Sequence, residues 1–173
     1  LKSANPDVNL VSAPIIAKDR GIKLSTTHQD KSGSFDGYIK VTVVTDTRER
    51  SLGGTVFSDG KPRFIQIKGI NIDAEIGSNM LYTTNVDVPG IIGLLGNTMG
   101  KNSVNIANFT LGRSEVGGEA IALLYVDEPI PAGVLNTLEG TGQFTQVKPL
   151  AFDVASSLFS CSRTRLTRDA TST

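Results

Sequence analysis

The sequence has few of the residues that build metal, redox and acid–base centres. Cys161 is the only cysteine and His28 the only histidine among 173 residues. They cannot assemble a disulfide framework, a multi-cysteine metal site or, lying in unrelated contexts, a nucleophile pair. His28 lies in a Ser/Thr-rich strand end and reads as a solvated side chain. Neither sign of charge prevails: 17 Lys and Arg balance 17 Asp and Glu, which excludes a global field toward nucleic acid or an anionic membrane surface. No apolar run approaches the length of a membrane span, and no basic-then-apolar leader opens the chain. No GxGxxG follows a strand and no P-loop is present, so no cofactor is expected to be held by these residues. One cysteine suits a reducing compartment, and the expected location is cytoplasmic. Leu1 in place of Met leads us to expect a piece of a longer protein.

What is present reads as two small α+β units and an irregular end. Ser12 is an N-cap for a short helix over APIIAKDRG that stops at Gly21. Residues 22–28 and 35–46 are rich in β-branched residues and alternate, which predicts strands. TVFSDGKPRFIQIKG sets Asp59-Gly60 between two alternating runs, a strong hairpin signal, and INIDAEI continues the alternation. Residues 1–77 are therefore expected to form a mostly antiparallel sheet with one helix before it. Beyond Gly77-Ser78 the pattern over residues 78–154 becomes βαββαβ, the order of a four-stranded ferredoxin-like sheet with both helices on one face. Its other face then needs a partner or a neighbouring domain to cover it. Residues 155–173 have no period and a Ser/Thr/Arg bias; they read as an irregular tail, a scar or out-of-frame sequence.

The most informative stretch is NVDVPGIIGLLGNTMGK, followed by VNIANF. Ile91, Ile92, Leu94, Leu95 and Met99 give the helix at 89–100 an apolar stripe. Gly93, Gly96 and Gly100 leave one side nearly bare, at a cost of roughly 1 kcal/mol for each interior glycine. We expect close packing of another backbone to offset it, across a subunit contact. Pro89 is expected at the first helical position, and Gly90 leaves the next amides approachable. Those amides and the helix dipole suit an anion, while Asp87 offers the opposite charge. A zwitterion satisfies both; a plain capping role for Asp87 is the alternative. Asn85 ends the strand before the helix and Asn105 opens the strand after it, so both amides are expected at the same mouth, although each alone is an ordinary turn residue. Asp73 and Glu75 alternate on one strand face, as solvated carboxylates do, and no catalytic residue is expected. The βαββαβ order is shared with RNA-recognition modules. VNIANFTLGR offers only Phe109 for stacking amid balanced charge, so nucleic acid is not an expected partner.

LYTTNVDVPGIIGLLGNTMGKNSVNIANFTLGR resembles an ACT domain. VSAPIIAKDRGI and IQIKGINIDAEIGSNMLY resemble the regulatory region of the long type of D-3-phosphoglycerate dehydrogenase, in which an intervening, allosteric substrate-binding domain precedes the ACT domain. The resemblance implies a parent enzyme that oxidises 3-phosphoglycerate with NAD, the first step of L-serine biosynthesis, with its catalytic domains absent here. It implies feedback binding of L-serine at the interface of paired ACT domains, in a dimer or tetramer, with Asn85, Asp87, Asn105 and the backbone at Pro89 and Gly90 as its contacts. In the intervening domain it implies an anion site on basic residues. Arg63 falls at a matching position and Lys61 and Lys68 lie nearby, but Glu75 stands where such a relative has arginine and would repel a phosphate. Two other readings are an ACT pair that only oligomerises, and the regulatory part of an L-serine dehydratase, whose iron–sulfur cluster a single cysteine cannot hold.

Overall fold

The fold is known from a computed structural model that describes residues 9, 11–27 and 37–152. His28, Cys161 and the tail from 155 lie outside the described residues. The chain divides into two compact units, residues 1–34 and 35–173. In the first, helix α1 (Ala13–Asp19) begins at Ser12 as expected. It ends in a Schellman motif: Gly21 takes φ 72°, and the amides of Gly21 and Ile22 return to the carbonyls of Lys18 and Ala17. Residues 22–27 carry no strand. Among the described residues they pair with no strand, and intrinsic preference alone does not make one.

The second unit holds two antiparallel four-stranded sheets. The first is a meander of β1 (Ile39–Val44), β2 (Glu49–Val56), β3 (Pro62–Ile67) and β4 (Ile70–Glu75) in that spatial order. The Asp59-Gly60 hairpin forms as read: Gly60 has φ 80°, and the Asp59 carboxylate accepts the Lys61 amide at 2.9 Å. The next hairpin was not legible. Lys68 and Gly69 both take positive φ, 52° and 81°, in a two-residue turn between paired Ile67 and Ile70, a geometry that the sequence KG announces poorly. Strand β2 was also missed over Glu49–Gly53, where charge and paired glycines break the alternation.

The second sheet follows the βαββαβ order: β5 (Asn79–Val86), α2 (Ile91–Lys101), β6 (Ile106–Arg113), β7 (Glu119–Val126), α3 (Ala132–Gly140) and β8 (Phe144–Ala151). Its spatial order is β6-β7-β5-β8, so both crossovers skip a strand and β6 and β8 are edges. The fold is thus α+β with two antiparallel sheets, as expected. Pro149 sits on edge strand β8, where its missing N–H costs no ladder bond.

Each face of the second sheet has its own core. Leu81, Ala122, Leu124 and Val147 meet Ile91, Leu95 and Met99 of α2 and Val134 and Leu138 of α3. On the opposite face Met80, Ile121 and Leu123 meet Phe64, Ile67, Ile70, Ile72 and Ala74 of the first sheet. The cover expected for that face, from a partner or a neighbouring domain, is therefore supplied by the first sheet. This explains why β7 reads EAIALLYV with no alternation, as strands buried on both faces do.

Gly112 marks how closely the sheets approach: a Cβ there would lie 2.6 Å from the Asn71 carbonyl oxygen. On α2, by contrast, nothing among the described residues lies within 4 Å of a Cβ at Gly93, Gly96 or Gly100, so the backbone expected to pack there is not supplied by the described residues. Gly112→Ala is expected to destabilise by about 1–3 kcal/mol through forced separation of the sheets. Gly96→Ala should be neutral or stabilise by up to about 1 kcal/mol through helix propensity. Urea unfolding of both variants checks this; a tolerated Gly112→Ala would contradict the packing described.

Candidate functional site

The turn between β5 and α2 differs from the sequence reading in one useful respect. Gly90, with φ 96° and ψ −18°, is the N-cap of α2, so Pro89 precedes the helix rather than opening it. Pro89 followed by a glycine with positive φ is the pattern of a type II turn. The first intrahelical bond runs from the Leu94 amide to the Gly90 carbonyl at 2.8 Å. This leaves the amides of Ile91, Ile92 and Gly93 without intrahelical acceptors, pointing out of the helix start.

Asp87 does not cap these amides, since α2 has no side-chain cap. Its carboxylate accepts from Arg113 Nη1 at 2.9 Å and, at 3.5 Å, from the Gly117 amide, while its own amide donates to the Gly118 carbonyl. The Arg113 guanidinium holds the Asp87 carboxyl below the usual carboxylate range; desolvation opposes it, and the Gly117 amide adds a lesser lowering. Sequence reasoning missed Arg113. The signal was there in the pairing geometry, because β6 ends where β5 ends once β7 lies between them.

Asn85 stands on the helix-facing side of β5, two residues past Thr83 and four past Leu81. It is 3% exposed. Its Nδ2 donates to the Val86 carbonyl at 2.6 Å, while its Oδ1 and the neighbouring Thr83 Oγ1 are buried with no hydrogen-bond partner among the described residues. Such orphaned acceptors are uncommon and call for a ligand, a water or a second chain.

Asn105 is elsewhere. Its Nδ2 donates to Asp127 Oδ2 at 2.7 Å, at the end of the sheet where Asn79 pairs with Val126. Strand β6 separates it from Arg113, so eight residues at about 3.3 Å each set it roughly 26 Å from Asp87 within one chain. The expectation that both asparagines reach one mouth fails for a single copy, because the crossover helix returns the chain to the opposite end of the sheet.

The basic residues read as an anion site are also not gathered. Lys61 pairs with Glu75 at 2.7 Å, and Arg63 pairs with Asp59 at 3.1 Å and Asp73 at 3.3 Å while lying 4.8 Å from the Phe57 ring centre. Lys68 is at the other end of β3, 2.5 Å from Glu119. Three carboxylates thus surround two cations at the 59–63 hairpin, which suits ion pairing better than capture of an anion. Glu75 raises the Lys61 pKa, and Asp59 does the same for Arg63.

The similarity of the chain to known proteins agrees with this architecture. Residues 1–68 match the family described as the D-3-phosphoglycerate dehydrogenase intervening domain. D-3-phosphoglycerate dehydrogenase of Synechocystis is 35% identical over 131 residues, that of Bacillus subtilis 33% over 141, and that of Methanocaldococcus jannaschii 34% over 134. This chain is similar to part of D-3-phosphoglycerate dehydrogenase. The matches cover 76%, 82% and 76% of the chain but only 24%, 27% and 25% of those relatives. The chain spans about a quarter of their length, and the similarity is consistent with a C-terminal regulatory region. None of the described helices is long and apolar enough to cross a membrane, and among the described residues no cluster of three or more His, Cys, Asp or Glu could hold a metal ion.

The Asp87–Arg113 pair sets a pH response. A carboxyl whose pKa is lowered by folding contributes stability that is present above its unfolded value near 3.8 and is lost as pH falls through the lower folded value. In Arg113→Ala the Asp87 pKa is expected to rise toward or above 3.8, read by NMR titration of its carboxyl carbon. An unchanged Asp87 pKa in the variant would show that Arg113 is not its partner.

Proposed function

We propose that this chain is the regulatory region of a D-3-phosphoglycerate dehydrogenase, comprising an intervening part over residues 1–77 and an ACT part over 78–154. The ACT part binds L-serine between two copies and reports its level to catalytic domains outside this chain. The parent would oxidise 3-phosphoglycerate with NAD in the cytoplasm, in the opening step of L-serine synthesis. The NAD chemistry belongs to the rest of the parent, since the strand-to-helix turn here holds Pro89-Gly90 and lacks the glycine triplet that seats a pyrophosphate.

The observation that carries the reading is the buried Oδ1 of Asn85, without a hydrogen-bond partner among the described residues, beside a helix start with amides free of intrahelical acceptors and a carboxylate, Asp87. The ligand carboxylate would take the amides of Ile91–Gly93, and its ammonium would take Asp87 and the Asn85 Oδ1. The position of Asn105 supports a two-chain site. Edge strand β6 can pair antiparallel with the β6 of a second copy about a two-fold axis. Centred on the strand, such pairing sets residue 105 of one copy level with residues 113–114 of the other, beside Arg113 and therefore Asp87. The open glycine side of α2 gives the second copy room to approach.

One observation favours a second reading, an ACT pair that only assembles: the Asp87 carboxylate is already satisfied by Arg113, so an ammonium must displace a guanidinium. Calorimetric titration with L-serine, D-serine and glycine separates the two readings. The serine site predicts stereoselective binding weakened at least about tenfold in Asp87→Ala, the loss of one charge-assisted hydrogen bond. No binding of millimolar L-serine by folded, self-associated protein would leave assembly as the sole role.

A further inference from the structure

The hairpin that joins β6 to β7 touches the helix-start site on one side and the first sheet on the other. Successive residues of a strand face opposite sides of the sheet, and both legs of this hairpin use both sides. Arg113 and Ala120 stand opposite each other on the helix-facing side, where Ala120 also pairs with Asn85. One residue away on each leg, Gly112 and Glu119 face the first sheet.

Asp87 ties down the hairpin from β5. Its Oδ2 accepts from Arg113 Nη1 at 2.9 Å and from the Gly117 amide at 3.5 Å, and its amide donates to the Gly118 carbonyl at 2.8 Å. The turn is closed on itself. Gly117 takes φ 75°, the Gly118 amide donates to the Glu115 carbonyl at 3.1 Å, and the Ser114 amide donates to the Glu119 carbonyl at 2.9 Å. A Cβ at Gly118 would lie 2.5 Å from Ser114 Oγ. Toward the first sheet, both legs meet the turn between β3 and β4. The Glu119 carboxylate lies 2.5 Å from Lys68 Nζ, and a Cβ at Gly112 would lie 2.6 Å from the Asn71 carbonyl oxygen and 3.0 Å from Ile70 Cγ2. A cleft of about 780 Å³, with Lys68, Gly69 and Glu119 in its lining, borders this contact and leaves the β3–β4 turn room to move.

We propose that the β6–β7 hairpin carries occupancy of the helix-start site to the first sheet, an inference that rests on the amino-acid reading of that site. Arg113 and Gly117 share one oxygen of Asp87. A ligand ammonium at that oxygen competes with both and loosens the hairpin from β5. The hairpin has no space for one extra carbon against Asn71, so it cannot shift without displacing the β3–β4 turn, because close-packed contacts transmit strain. The Lys68–Glu119 pair opposes that displacement. Such coupling is reciprocal: if ligand entry strains the pair, removing the pair strengthens ligand binding. Lys68 and Glu119 are thus positioning residues that act on the site from the opposite face of the sheet.

The coupling is testable with and without ligand. In the ligand-free chain, Asp87→Asn is expected to move the amide NMR signals of Lys68, Gly69 and Asn71, and Lys68→Gln those of Arg113 and Gly117. Lys61→Gln, at the opposite end of the first sheet, is expected to move neither set. Calorimetric titration is expected to show L-serine bound about two- to thirtyfold more tightly by Lys68→Gln and by Glu119→Gln. The double variant should bind no more tightly than either single one, since the two residues act as a unit. Circular dichroism checks that each variant is folded, and either single variant suffices should the other fail to fold. Unchanged or weaker L-serine binding in these variants, or Asp87→Asn shifts that stop within residues 113–119, would overturn the proposal and leave the serine site standing. No L-serine binding by the unaltered chain would instead overturn the amino-acid reading, and with it the ligand assigned to the hairpin.

Discussion

The structure depends on burial of the second sheet from both sides. Met80, Ile121 and Leu123 on one face and Leu81, Ala122 and Leu124 on the other alternate along just two strands, and both sets are fully or almost fully removed from water. A strand pair buried in this way cannot shift register without exchanging one complete core for another. The ends of β5, β6 and β7 are therefore fixed relative to one another. That constraint carries Asn85 to the foot of α2, aligns Arg113 with Asp87, and sends Asn105 to the far end. It also makes the first sheet a wall of the unit rather than a separate body hung on a linker.

Charge is distributed on this frame in a way that total composition conceals. The first sheet pairs its acidic end internally and leaves its basic end facing a cleft, while the second keeps one ion pair, Asp87–Arg113, at the helix start. Exposed pairs of this sort contribute little to stability, typically under about 1 kcal/mol.

Much of this was legible in the residues. The Asp59-Gly60 hairpin, the βαββαβ order, the stripe of Ile91, Leu95 and Met99, and the Gly21 stop of α1 all follow from local chemistry that nothing distant opposes. What escaped reading depends on neighbours far away in sequence. Residues 22–27 had the composition of a strand but pair with no strand among the described residues. Lys68 adopts a conformation that favours glycine because the two strands it joins impose it. Arg113 is unremarkable until β7 is inserted between β5 and β6, and Asn105 looked close to Asn85 because the sequence does not show which end of a sheet a crossover returns to. Asn85 and Asp87 were placed at the helix start from sequence; the position of Asn105 at the opposite end of the sheet was not.

The central claim is that Asp87 of one copy and Asn105 of another complete one site for an amino acid. The most direct test is amide and side-chain NMR shift mapping of the labelled chain on addition of L-serine. The account predicts that Ile91–Gly93, Asn85 and Arg113 shift together with the Asn105 side-chain amide, saturating at one common concentration even though Asn105 lies about 26 Å away within its own chain. Shifts confined to the helix start, with Asn105 and its partner Asp127 unmoved at saturation, would contradict it.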